Sequence, residues 1–403
     1  MRAAWNIRQL GEVCTVQPPK SEARQLLRPN DMVSFVPMEA LGIQRKEIGA
    51  TVNRTLSEVQ GSYTYFANGD VLLAKITPCF ENGKLGIASG LTNGVGFGSS
   101  EYIVLRPSAC LTANFLYYFL LRDSFRETGA RNMTGTAGQK RVTKTYVESS
   151  GIPTPPLKEQ ERIVAVLDEA FEGIDRAEAN AVKNKQNAQS LFAGFLQSRF
   201  SEVWKDSRLV KLSDLATDIT DGDHLPPPKS AEGVPFVTIS NINKESHRID
   251  FTDTFFVPRD YFEKLKPNKR PRKGDLLYTV TGSFGIPVKV ERDFEFCFQR
   301  HIGLVRPRPD VCTSWLYYLM RSPQILQQAD ERATGTAQRT VSLAVLRSFS
   351  VPKIGLECQR SMASKLDQAK TQVERMEAVY ACELSALAEL KQSLLHQAFT
   401  CKL

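Results

Sequence analysis

Two short stretches carry side chains suited to reading the polar edges of another molecule. Thr134-Gly135-Thr136-Ala137-Gly138-Gln139-Lys140-Arg141 and Thr334-Gly335-Thr336-Ala337-Gln338-Arg339 each place hydroxyls, a carboxamide and a cation beside a glycine. A Gln side chain can pair with adenine and an Arg with guanine, and the glycines let the backbone approach closely. The same residues also suit a turn that caps the next helix, with Thr136 or Thr336 as the cap. The two readings are compatible.

Basic side chains gather nearby. Arg131, Lys140, Arg141 and Lys144 follow one another with no acid between them, and so do Lys264, Lys266, Lys269, Arg270, Arg272 and Lys273. Such runs neutralise phosphates and release counterions, although most charge runs are simply solvated faces. Lys75, Thr77, Lys84, Thr279, Thr281, Ser283 and Arg332 complete the set expected to contact DNA.

Other chemistries lack their residues. There is no G-x-x-x-x-G-K-[ST] phosphate loop, no Gly-rich methyltransferase cofactor loop and no Asn/Asp-Pro-Pro-aromatic motif. No compact Asp…Glu-x-Lys cluster is present to hold nuclease metals; Glu81-Asn82-Gly83-Lys84 has the wrong spacing. His224, beside Asp221 and Asp223, reads as part of a polar turn. The eight cysteines include no C-x-x-C pair and the four histidines are scattered, which predicts ordinary buried thiols and no metal site.

The elements that position these residues are written twice. FLYYFLLRDSFRETGARNMTGT at 115–136 answers WLYYLMRSPQILQQADERATGT at 315–336, and GDVLLAKIT from Gly69 answers GDLLYTVTG from Gly274. Trp5 and Trp204 open the two copies. Each copy then reaches a proline, Pro153 or Pro352, followed by a long apolar seam. The first seam is Ile163, Leu167, Ala170, Ile174, Ala177, Ala181, Asn184, Ala188, Leu191 and Phe195. The second is Met362, Leu366, Ala369, Val373, Met376, Tyr380, Glu383, Leu387, Leu390 and Leu394. Unbroken spacings of three and four predict coiled-coil helices, each at least about 48 Å long at 1.5 Å per residue. Chain order makes them antiparallel, with a globular domain at each end of a rigid bar. Asn184 and Glu383 interrupt the seams, as residues that set register or meet a partner would.

The expected divisions are a domain at 1–157, a helix at 158–203, a domain at 204–355 and a helix at 356–403. Each domain reads as α+β. Strands are expected near Val71–Ile76, Ile103–Arg106, Phe236–Ile239 and Leu276–Val280, backed by helices at Phe115–Leu121 and Trp315–Met320. The net charge of +8 is confined to the domains: 17 basic against 12 acidic residues in 1–157, and 23 against 19 in 201–355. Residues 158–200 carry six against seven, and 356–403 six of each, so the helices are an almost neutral spacer. No apolar run approaches a membrane span, and the N-terminus lacks an apolar signal core, so a cytoplasmic location is expected.

This order of domain, long helix, divergent domain and long helix resembles the specificity subunit of type I restriction-modification enzymes over essentially the whole chain. The local marks are I-P-T-P-P-L-K-E-Q-E-R-I-V at 152–164 and S-L-L-H-Q-A-F-T-C-K-L at 393–403. Cys401 stands where a Gly is commoner. In the second copy of the helix start, V-P-K-I-G-L-E-C-Q-R, Ile354-Gly355 replaces the paired prolines. The resemblance implies that each domain reads one half of a split double-stranded DNA sequence and that the helices set the unread spacer. It also implies a chain with no catalysis or cofactor of its own. Two methyltransferase subunits bringing S-adenosylmethionine would dock on it, and restriction subunits using ATP and Mg²⁺ would join. A coiled-coil scaffold with protein-binding end domains is the first alternative, opposed by the charge split. An enzyme with an unfamiliar site is the second.

Overall fold

The structure is a computed structural model that describes residues 5–136, 138–223, 227–336, 338–400 and 403; His224 and Cys401 lie outside these. Packing divides the chain into two compact units, 1–182 with 381–403, and 183–380. Both are mixed α and β, and each takes one stretch of both long helices.

In the first unit Cys14–Val16, Tyr102–Pro107, Val71–Ala74 and Leu85–Ile87 form an antiparallel four-stranded sheet, in that order. Its residues are almost wholly buried because one face meets the helix Ala113–Leu121 and the other a second sheet. That second sheet runs Val52–Thr55, Met32–Val36, Val95–Gly98, Thr64–Ala67, with a parallel pair at its centre. The second unit repeats the first sheet as Ala216–Asp221, Ile302–Pro307, Leu276–Thr279 and Pro287–Lys289. Its other sheet is reduced to Phe255–Val257, Val234–Val237 and Cys297–Phe298. The strands and helices expected within the domains are present, with ends shifted by at most two residues.

A short strand closes each domain at its root. Ile7–Gln9 pairs with Gly151–Pro153, and Leu209–Lys211 with Ser350–Pro352. The long helices start directly after, at Leu157–Asp206 and Leu356–Phe399, 50 and 44 residues, or about 75 and 66 Å. Trp204 therefore lies in the last turns of the first helix.

Within each unit the helices are antiparallel. In the first, Arg162 donates to the Leu403 carbonyl at 3.0 Å, while Lys391 reaches Asp175 and Glu178 at 2.8 Å. In the second, Gln189 donates to Glu377, and Phe192, Leu196 and Phe200 share a core with Ala363 and Leu366. The seam departs from expectation here. Leu191 is 68% exposed, and Phe192, Leu196 and Phe200 are buried instead. The helix end packs on a globular core as well as on its partner helix, and that broader surface takes the adjacent face. Asn184 and Glu383 are exposed.

Thiol burial is uneven. Cys14 and Cys297 are buried, and burial pushes both thiols up to about 12, whereas Cys358 and Cys382 are exposed, contrary to expectation. Among the described residues no helix is long and apolar enough to cross a membrane.

Candidate nucleic-acid interface

The Thr-Gly-Thr stretches are hairpins anchored on the central sheets. In the first, Thr134 and Arg141 exchange backbone hydrogen bonds of 3.0 and 2.8 Å, and Thr77 N–H donates to the Lys140 carbonyl at 2.9 Å. Val142 N–H donates to Lys75, whose own N–H donates to Glu101, both at 2.9 Å. The second repeats this ladder. Thr334 and Thr340 exchange bonds of 2.9 and 2.8 Å, Gly282 N–H donates to Arg339 at 3.0 Å, and Val341 N–H to Val280 at 2.8 Å. Position by position, Lys140 corresponds to Arg339, Arg141 to Thr340 and Glu101 to His301. The first hairpin is one residue longer, at Gly138.

The glycines are structural requirements. Gly135 and Gly335 have φ of +123° and +105°, and a Cβ there would sit 2.8 and 2.6 Å from the carbonyls of Gln139 and Gln338. The capping expectation is corrected. The helices that follow, Lys144–Ser149 and Leu343–Arg347, are capped by Thr143 and Ser342, whose hydroxyls accept from Tyr146 and Val345 N–H. Thr136 and Thr336 stay at the exposed tips because the strand of each hairpin intervenes.

Exposed at the tips are Thr134, Thr136, Gln139 and Lys140 in one unit, and Thr334, Thr336, Gln338 and Arg339 in the other. Arg141 is less available. Its guanidinium forms a two-pronged pair with Glu101 at 2.9 and 2.8 Å and donates to the Gln139 carbonyl at 3.0 Å. The hydrogen bonds from Arg141 hold the Glu101 carboxyl below its ordinary range. Arg339 pairs with Asp330 at 2.6 Å and lies 5.5 Å from the Phe284 ring centre. It is tethered at the surface and still 44% exposed.

The remaining expected contacts divide sharply. Thr279 and Thr281 are buried: the first donates to the Ser283 carbonyl at 2.8 Å, and the second meets the Thr340 hydroxyl at 3.3 Å. They support the hairpin and offer no hydroxyl outward, because Thr279 ends an interior strand and Thr281 bridges to Thr340 just beyond it; Ser283 is exposed. Thr77, half-buried, donates to Glu81 at 2.8 Å. Lys75 and Lys84 are half-buried and Arg332 is exposed. Arg131 and Lys144 pair loosely along their helices with Glu127 and Glu148 at 3.6 and 3.3 Å.

The run at 264–273 is not one surface. Lys269 donates to the Gly222 carbonyl at 3.0 Å, and Arg270 to the carbonyls of Leu265 and Glu263, stacked 5.3 Å from Phe262. Arg270 holds the loop's own backbone and Lys269 ties the loop to the end of the strand Ala216–Asp221, so both are corrected to structural roles. Lys264 pairs with Asp260 at 2.9 Å. Lys266, Arg272 and Lys273 point outward. Sequence reasoning missed Phe251 and Phe294, exposed rings in edge contact at 5.1 Å. Phe294 and Arg272 line a crevice of 970 Å³. The alternation Asp293-Phe294-Glu295-Phe296, just ahead of the strand Cys297–Phe298, was the available signal for one exposed and one buried ring.

The chain has relatives. The family model described as a type I restriction modification DNA specificity domain matches residues 3–184. The EcoAI specificity subunit of Escherichia coli is 39% identical over 160 residues, which cover 40% of this chain and 27% of that protein. The EcoEI specificity subunit of the same organism is 35% identical over 203 residues, covering 49% and 34%. The match thus spans about a third or less of those two relatives. Among solved structures, one from a study of type I R-M assembly and conformational transition shares the fold at a TM-score of 0.82 and 22% identity, covering 100% of this chain and 99% of that one. The HsdS subunit of Thermoanaerobacter tengcongensis gives 0.62 and 21%, covering 100% and 98%. Residues 3–184 thus match a type I restriction modification DNA specificity domain, and the chain as a whole shares the fold of these two solved structures.

Proposed function

We propose that each unit reads one half of a bipartite double-stranded DNA site. The long helices set the spacer between the halves and dock two methyltransferase subunits. The observation that carries this reading is the pair of anchored hairpins, 134–141 and 334–340, which share a backbone ladder but present different side chains. Recognition of an asymmetric site needs that combination: equal frames with unequal reading edges.

Gln139, Lys140, Gln338 and Arg339 are the leading contacts at the tips, with Thr134, Thr136, Thr334 and Thr336 beside them. Arg131, Lys144, Lys264, Lys266, Arg272, Lys273 and Arg332 supply phosphate neutralisation. The chain itself performs no chemistry; S-adenosylmethionine, ATP and Mg²⁺ belong to methyltransferase and restriction subunits in the cytoplasm. Mapping methylated bases in cells carrying the neighbouring methyltransferase, with and without this gene, tests the reading. Loss of one split motif, whose gap widens when the helices are lengthened, is expected. An unchanged methylome with an active methyltransferase would overturn it and favour a protein scaffold.

A further inference from the structure

The equivalent faces near the starts of the two long helices differ in charge. The helices align through Gln160 with Gln359 and Asp168 with Asp367, which share the bonds from Thr112 and Cys312 N–H and from the Tyr118 and Tyr318 hydroxyls, while Asp168 alone also pairs with Lys46. On that alignment Glu161 corresponds to Arg360, Glu169 to Gln368 and Glu172 to Thr371, while Arg176 and Arg375 match. Residues 158–178 hold seven carboxylates against three basic groups, whereas 357–377 hold four of each. The first face therefore repels what the second can accept.

The second face is also concave. Ser314, Arg360, Ser364, Gln368, Gln372 and Arg375 line a groove of 520 Å³ beside the helix Thr313–Met320. Lys289 adds a cation at its edge, 3.4 Å from the Ser314 hydroxyl. Arg375 has no ion-pair partner among the described residues. Arg360 touches Glu357 at 3.0 Å in an exposed pair, which contributes little. The one carboxylate in the lining, Asp367, is already taken by the Tyr318 hydroxyl at 2.6 Å. Amides, hydroxyls and two guanidinium groups in a recess are the donors that carboxylates seek. A DNA duplex, whose own grooves admit protein elements, is too broad to enter such a recess; a protein segment fits.

We propose that this groove receives an acidic segment of a docked methyltransferase subunit, and that the first unit offers no equivalent. Docking is then unequal, and the copy at the second unit is the salt-sensitive one. The proposal rests on the reading that methyltransferase subunits dock on this chain. Native mass spectrometry and titration of the full chain with the methyltransferase from the neighbouring gene test it, at low and high salt.

The expected result is two bound copies, one of them lost first as salt rises. Arg360→Glu/Arg375→Glu should weaken that copy by roughly tenfold or more while leaving the other copy and DNA affinity unchanged. Gln368→Glu/Gln372→Glu, which removes no existing ion pair, should act in the same direction. Both copies binding these variants as tightly as wild type would overturn the groove while leaving the docking reading intact. Intact docking with weakened DNA binding would also overturn it, assigning the groove to phosphates. A wild-type chain that takes no methyltransferase overturns both.

Discussion

The two units agree inside and disagree outside. Asp70, a buried carboxylate, forms a two-pronged pair with Arg106 at 2.7 and 2.8 Å, and Asp275 repeats it with Arg306 at 2.9 and 2.7 Å. Gln160 accepts from Thr112 N–H and donates to the Pro155 carbonyl, as Gln359 does with Cys312 and Ile354. Tyr118 donates to Asp168, and Tyr318 to Asp367. At the hairpins the sharing stops: Arg141 is held by Glu101 across the sheet, while Arg339 is held by Asp330 on a neighbouring helix. A buried polar group must keep its partner or leave that partner stranded, so the frame tolerates little change. Exposed tips carry no such penalty, which leaves their side chains open to divergence.

Breaking the common frame should give the largest effects. Asp70→Ala and Asp275→Ala each remove the buried carboxylate of a pair, but Arg106 keeps Glu22 and Arg306 keeps Asp218, so the cost falls at the low end of the about 3–5 kcal/mol for breaking a buried pair. Asp70 and Asp275 are 1% and 3% exposed as side chains. Hydrogen exchange should show each variant loosening its own unit by a comparable amount. A large difference between the two would deny that the pairs do equivalent work.

The hairpin glycines come next. Gly135→Ala and Gly335→Ala put a Cβ against a carbonyl in a backbone region that L residues avoid, at a cost of about 1–3 kcal/mol. The strain falls on the tip, so DNA affinity should drop while the unit's melting temperature moves little. Unchanged affinity in both variants would remove the hairpins from the interface.

The units should also differ in their response to acid. His247, in the second unit, is lowered to about 4 by burial, helped by Arg321 and Lys370 and opposed by the Pro287 carbonyl. The native state therefore binds fewer protons than the unfolded chain, whose imidazole keeps its ordinary value. Stability present above about pH 6.5 is lost as pH falls toward 4, by about 1–2 kcal/mol after allowance for solvent screening. The first unit's described histidine, His396, is exposed on a helix. Exchange rates followed from pH 7 to about 4 should rise more in the second unit, and His247→Phe should remove most of the difference, leaving the part due to His301, which burial also lowers.

Much of the frame was legible because it repeats. Matching Tyr-Tyr and Thr-Gly-Thr motifs, and the two seams, located both copies. The I-P-T-P-P-L-K-E-Q-E-R-I-V mark now has a physical basis in Gln160, which ties the helix start to its domain. The second copy lost the paired prolines but kept Gln359, which bonds Cys312 N–H and the Ile354 carbonyl as Gln160 bonds Thr112 and Pro155. What misled was local context that sequence does not carry. Leu191 fits the seam spacing, but the domain surface beside the helix end favours Phe192. Lys269 and Arg270 read as surface charge, yet their partners are carbonyls supplied by the fold. Thr279 and Thr281 matched a hydroxyl pattern, but one ends an interior strand and the other is buried under the hairpin it bridges to.

The smallest effects should separate the two tips. Lys140 has no ion-pair partner among the described residues, whereas Arg339 is fixed by Asp330 and Phe284. An untethered ammonium on a flexible stem suits a phosphate, and a held, planar guanidinium suits a base edge. Lys140→Ala should weaken binding evenly across DNA sequences and lower the salt dependence by about one charge. Arg339→Ala should cost about 1–3 kcal/mol on the preferred sequence and less on others, relaxing the methylation motif in one half-site. Titrations on the mapped site and on single-base variants, at several salt concentrations, measure both. If Lys140→Ala alters sequence preference and Arg339→Ala alters only the salt slope, the assignments are reversed: the tether on Arg339 would then serve to aim it at the backbone.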